Sequence, residues 1–220
     1  MRGTTRGNGT FQARGQRRRE TVSDPQAPLK NFQKTKESFI GIDSDGCAFD
    51  TMEIKHKECF GPNIIKYFGL QPVSKMAREA FEFVNLYSKW RGVNRWPAVK
   101  MVLDLLRERP EVAARGVKIP EWRGLDAFIK SGCTLSNEGL RDFIGKCGDP
   151  SLVGDLLTMW EWTHAVNRFV GDIVHGVLPF AFVRESLEKA APKADIMVVS
   201  ATPGEALVRE WKEHDIAKYA

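Results

Sequence analysis

Asp43 and Asp45 stand two residues apart at the end of a short apolar run, in Ser38-Phe39-Ile40-Gly41-Ile42-Asp43-Ser44-Asp45-Gly46-Cys47-Ala48-Phe49-Asp50. The run is too short for a helix and reads as a strand from about Ser38 to Asp43. Residues i and i+2 of a strand point the same way, so Asp43 and Asp45 share a face and Ser44 points away. Ligands of an open α/β sheet bind beyond the carboxyl ends of its strands. Two carboxylates brought together repel unless a cation or proton separates them, so the pair calls for a divalent metal.

A second segment of the same kind lies near the end of the chain. Asp195-Ile196-Met197-Val198-Val199 reads as a five-residue strand running into Ser200-Ala201-Thr202-Pro203-Gly204-Glu205. Thr202, Pro203 and Glu205 match a capping box, with Thr at the N-cap, Pro at N1 and Glu at N3. A helix N-terminus directly beyond a strand suits a phosphate, because its backbone N–H groups are free and its dipole end is positive. The Ser200 hydroxyl and the N–H of Ala201 lie at the same tip. Phe182–Ala191 reads as an amphipathic helix just before this strand, and helix–strand–turn–helix is a parallel-sheet unit. The two strands are therefore expected to pair in one sheet.

Between them, residues 51–179 show helical rather than strand-like patterning. Helices are expected over Glu53–Phe68, interrupted at Gly61-Pro62, over Pro72–Trp90, over Trp96–Arg109 with Pro110 as its stop, and over Leu125–Lys130. Ser136–Cys147 and a helix opened by Asp149-Pro150 and ending near Val170 complete the block. Trp90, Trp96, Trp122, Trp160 and Trp162 fall inside it and are expected to pack its core. Residues 1–36 are rich in Gly, Arg, Gln and Thr and read as a disordered basic tail.

The net charge of +5 is carried by that tail, where six arginines meet one acid among the first 20 residues, and the rest of the chain is neutral. The globular part is thus no general nucleic-acid binder. The cysteines (Cys47, Cys59, Cys133, Cys147) and histidines show no metal-ligand spacing, and read as free thiols and core or surface imidazoles. No apolar run is long enough to span a membrane and no secretory leader is evident, so a cytoplasmic protein is expected.

Together the two tips resemble the haloacid-dehalogenase-like hydrolase superfamily. Its first motif, an apolar strand followed by Asp-x-Asp-Gly-x-x-x-Asp/Thr, is matched by Asp43 through Asp50, and its second, a strand ending in Ser or Thr, by Ile196 through Ser200. The resemblance implies a Rossmann-like parallel-sheet core, only partly present in residues 37–50 and 180–220, with an inserted all-helical cap over 51–179. It implies a phosphatase acting on a small phosphorylated metabolite. Asp43 is then the nucleophile that forms an aspartyl-phosphate, and Asp45 is the general acid and base. Mg²⁺ sits on the Asp43 carboxylate and the Asp45 backbone carbonyl, and Ser200, Ala201 and Gly46 face the phosphate. A phosphomutase acting on a sugar phosphate, or a catalytically incompetent binding or scaffold protein, are the alternatives. The run Ser88–Trp96 between two cap helices offers Lys89, Arg91 and Arg95 to the anionic part of a substrate. The family's third motif, a charge-balancing Lys or Arg, and its fourth, an acidic pair, have no match after Ser200. Lys212 and Lys218 are only nominal candidates for the third. The sequence therefore reads as a fragment, or as a chain whose sheet is completed by a further C-terminal segment or another chain.

Overall fold

The computed structural model describes residues 30–200, 202 and 204–220, without the side chains of 204–206. The basic tail expected over 1–36 lies almost wholly outside them, as do the roles of Ala201, Pro203 and Glu205. Lys36–Ala220 form one compact unit. It is a mixed α/β fold, mostly helical, with a small parallel sheet.

Strand β1 (Ser38–Ile42) pairs in parallel with β2 (Ala194–Val198), with Ser38 opposite Ala194 and Ile42 opposite Val198. The N–H of Val199 donates to the Ile42 carbonyl (2.8 Å) and carries the contact one residue past β2. Both strands start or stop a residue earlier than expected. Because they run parallel, their carboxyl ends emerge on the same edge. A parallel pair needs a long crossover, and here the crossover is the whole helical block.

Helix α1 begins as Met52–Ile54, widens into a π-helical stretch at Lys55–Phe60 and returns to α-helix at Gly61–Tyr67. The break expected at Gly61-Pro62 is therefore not a break. Proline lacks an N–H and its ring clashes with the carbonyl four residues back. Widening the preceding turn to i→i+5 bonding, with Gly61 N–H donating to the His56 carbonyl, lets the helix continue.

Then come α2 (Ser74–Glu82, continued as a π-helix over Phe83–Tyr87), α3 (Arg95–Glu108), α4 (Pro110–Ala114), α5 (Arg123–Lys130), α6 (Asn137–Lys146) and α7 (Pro150–Ile173). Pro110 ends α3 as expected and also opens α4, which the sequence reading lacked. The Ser136 and Asp149 caps form: Ser136 Oγ accepts from Gly139 N (3.1 Å) and Asp149 Oδ1 from Ser151 N (2.9 Å). After α7 the chain forms α8 (Val183–Ala190), β2 and α9 (Gly204–Glu213). Phe182 stands outside α8 with a left-handed backbone (φ 68°).

Two apolar cores result. The larger fills the helical block around Trp162, whose ring centre lies 5.4 Å from Trp96, 5.7 Å from Phe68 and 6.2 Å from Phe60. Trp96 and Trp162 are fully buried, and Trp122 and Trp160 pack partly buried against the same core. Trp90 corrects the expectation, being 37% exposed. The smaller core joins Ala48, Phe49, Leu187, Ile196, Trp211 and Ile216 beneath the sheet. Strand β1 is exposed along most of its length.

Candidate functional site at the strand tips

The loop after β1 is a tight hydrogen-bonded turn. The Ser44 carbonyl accepts the N–H groups of Cys47 (3.4 Å), Ala48 (3.0 Å) and Phe49 (2.9 Å), and Gly46 N donates to the Phe49 carbonyl (2.8 Å). Ser44 is fully buried, as its alternation with the acids requires. Its hydroxyl donates to Glu210 Oε2 (3.2 Å) and accepts from Trp211 Nε1 (3.0 Å). The turn is thereby anchored to α9 through the small core. Asp43, by contrast, is exposed, and its Oδ1 accepts the Ser44 N–H (2.8 Å).

Asp45 is where the two tips meet. Its Oδ2 accepts from the Thr202 hydroxyl at 2.8 Å. Its Oδ1 accepts from Thr51 Oγ1 and is paired with the Lys55 ammonium, both in very close contact. The Lys55 residue is only 8% exposed. Burial pushes the Asp45 carboxyl up, but Lys55 and the hydroxyls of Thr51 and Thr202 outweigh it and hold the acid below its usual range. The Thr202 hydroxyl thus goes to Asp45, while its own N–H donates to Ser200 Oγ (3.2 Å).

Lys55 and Thr51 were missed by sequence reasoning, although a signal existed. They lie four residues apart where a helix leaves the acidic turn, and so share one helix face. The nominal charge-balancing candidates are placed elsewhere: Lys218 is paired with Asp215 (2.7 Å), and Lys212 lies exposed in the last turn of α9. Glu210 was also missed. Burial raises its carboxyl pKa, opposed by Lys55 and supported by the negative charge of Asp45.

Of the three cations expected in the Ser88–Trp96 run, one reaches the turn. Gly46 has a left-handed backbone (φ 73°), and a Cβ built there would stand 2.6 Å from Arg91 Nη2 and 2.6 Å from Met52 Cγ. Arg91 thus lies directly against Gly46, while its Nη1 donates to the Leu86 carbonyl (3.3 Å). Lys89 instead sits over the Trp90 ring (5.2 Å), and Arg95 is held within the helical block on Thr163 and Asn167. Burial first, and then the charges of Arg91, Lys55 and Arg95, lower His56 to about 4 against an opposing pull from Asp45. These side chains share one electrostatic neighbourhood.

Among the described residues no three His, Cys, Asp or Glu side chains converge to cage a metal. The Asp45 carboxylate is taken by Lys55, which removes it as a side-chain ligand. The exposed Asp43 carboxylate fits a hard cation of the Mg²⁺ kind, which needs only one or two carboxylates when carbonyl, water and phosphate oxygens supply the rest. Compared with protein-family models, with curated proteins and with solved structures, the chain matches none.

Proposed function

We propose that the paired strand tips form a phosphate-ester site and that the protein is a Mg²⁺-dependent phosphohydrolase acting through Asp43. The observation that carries this reading is the Thr202–Asp45 hydrogen bond, 2.8 Å long between residues 157 positions apart. It brings the acidic turn and the Ser200–Thr202 turn, each suited to one half of such a reaction, to a common edge.

Asp43 is the exposed carboxylate and suits the nucleophile. Its Oδ forms a bond to phosphorus as the ester oxygen leaves, and water then cleaves the aspartyl-phosphate to release inorganic phosphate. The Asp43 carboxylate and the Asp45 carbonyl would hold Mg²⁺, which would supply neutralisation of phosphate charge. The Lys55 ammonium adds a positive charge that the expected third motif was to provide. Asp45, held ionised, suits activation of the water in the second half. To donate a proton to the leaving oxygen in the first half, Asp45 must first take one up from solvent, which requires Lys55 to loosen from it.

The test is hydrolysis of a chromogenic aryl phosphate by the 220-residue chain with and without Mg²⁺. Asp43→Asn should abolish the Mg²⁺-dependent rate, and a variant that keeps its rate refutes the assignment. The close Lys55–Asp45 pair favours a second reading, in which the tip binds a phosphorylated ligand without turning it over. Saturable ligand binding with no phosphate release, equal in wild type and Asp43→Asn, would establish it.

A further inference from the structure

Arg95, the first residue of α3, carries a charge that pairs with no acid among the described residues. Its Nη1 donates to Thr163 Oγ1 (2.7 Å) and to Asn167 Oδ1 (3.0 Å) on α7, and its guanidinium lies 5.1 Å from the centre of the Phe60 ring. The Thr163 hydroxyl donates its own hydrogen bond to Asn137 Oδ1 (2.8 Å) on α6, which fixes the hydroxyl as an acceptor toward Arg95. Among the described residues no carboxylate pairs with this guanidinium. Other arginines of the fold do find one: Arg109 meets Glu79 and Arg107 meets Asp104, each at 2.6 Å.

A guanidinium withdrawn from water is costly unless an anion and further hydrogen bonds compensate it. Burial alone lowers the Arg95 pKa to about 10, and no neighbouring charge restores it. The guanidinium has five N–H groups in a planar fork suited to two oxygens of one anion, yet only Nη1 has acceptors among the described residues. The residue is not sealed off, because Arg95 is only partly buried.

The geometry points to an oxyanion-binding site at Arg95, between the start of α3 and the middle of α7, that takes a carboxylate or phosphate group on the free side of the guanidinium fork. Thr163 and Asn167 orient the fork, Phe60 forms its floor, and the anion takes the place of water on the open N–H groups and supplies the countercharge. This site does not rest on the phosphohydrolase reading, since none of Asp43, Asp45 or Lys55 is among its residues.

Thermal melts of the full chain in chelator, at constant ionic strength, with inorganic phosphate, malonate or chloride, test the site. The wild-type midpoint should rise with phosphate or malonate but not with chloride, and the larger rise identifies the preferred oxyanion. Arg95→Met should keep the far-ultraviolet circular dichroism of the wild type and lose the rise. Arg95→Lys keeps the charge without the fork and should weaken apparent affinity tenfold or more. Arg115→Met, at an exposed arginine bonded only to the Pro72 carbonyl and outside both sites, should retain the full rise. An equal rise in wild type and Arg95→Lys overturns the site, as does no rise in wild type, which would mean that water or nothing fills the gap. A rise kept in Arg95→Met but lost in Lys55→Met places the anion at the strand tips and overturns it as well. If Arg95→Met does not fold, phosphate-31 line broadening of wild type against Arg95→Lys decides the matter.

Discussion

Lys55 and Asp45 form an ion pair with side chains only 10% and 21% exposed, so solvent screens it weakly. Removing one partner of a buried pair strands the other charge, at a cost of about 3–5 kcal/mol when burial is complete. For this partly open pair, Lys55→Met should cost about 2 kcal/mol at neutral pH, read by urea denaturation. The Asp45 pKa is depressed in the folded state, so its stabilisation is present above the ordinary carboxylate range and lost as pH falls through the folded value. In Lys55→Met that acid loss should shrink. His56 works at a higher pH. Its pKa falls from 6.5 to about 4 on folding, so the unfolded chain binds the proton first. Stability should be full above pH 6.5 and decline as pH drops toward 4, by about 3 kcal/mol at most. His56→Phe should flatten this stretch of the stability–pH profile, and an unchanged slope would show that His56 is not its source.

The β1–α1 turn is the element on which the candidate site depends. Gly46 is needed there twice over, for its left-handed backbone and for the close approach of Arg91 and Met52. Gly46→Ala should cost about 1–3 kcal/mol and displace Arg91, with a larger effect on phosphate affinity than a distant surface substitution of equal stability cost. Denaturation and phosphate titration of the same variant measure both. The π-helical stretch of α1 belongs to the same assembly. It starts at Lys55 itself and absorbs the Pro62 constraint without ending the helix, so the residue that neutralises Asp45 sits where the helix geometry changes. Such widened turns are frequent at functional sites.

At the scale of the whole molecule, the two cores divide the labour. The helical core around Trp162 holds most of the buried aromatic surface, while the small core under the sheet ties the acidic turn to α9 through Ser44, Glu210 and Trp211. Trp162→Ala removes a fully buried ring packed on Trp96, Phe60 and Phe68, and should cost about 3–5 kcal/mol. Thermal melts followed by near-ultraviolet circular dichroism should show a large downward shift of the transition. A shift no larger than that of a surface variant would mean that the Trp162 cluster does not carry the stability. No helix among the described residues is long and apolar enough to cross a membrane.

Local sequence determined the parts whose causes are local. Apolar runs of strand length at Phe39–Ile42 and Ile196–Val199 specified two strands, polar caps at Ser136 and Asp149 specified helix starts, and the i, i+2 spacing put Ser44 on the opposite side from its acidic neighbours. Parallel pairing also followed, because a helical crossover separates the strands. Tertiary structure alone decided what surrounds Asp45. Thr51 and Lys55 reach it only because α1 leaves the turn at a particular angle, and Thr202 only because the two strands lie in register. It likewise sent Arg91 to Gly46 and Arg95 to Thr163, although both read in sequence as members of one cationic run. Charge type can be read residue by residue, whereas the partner that compensates a charge is set by packing between segments far apart in the chain.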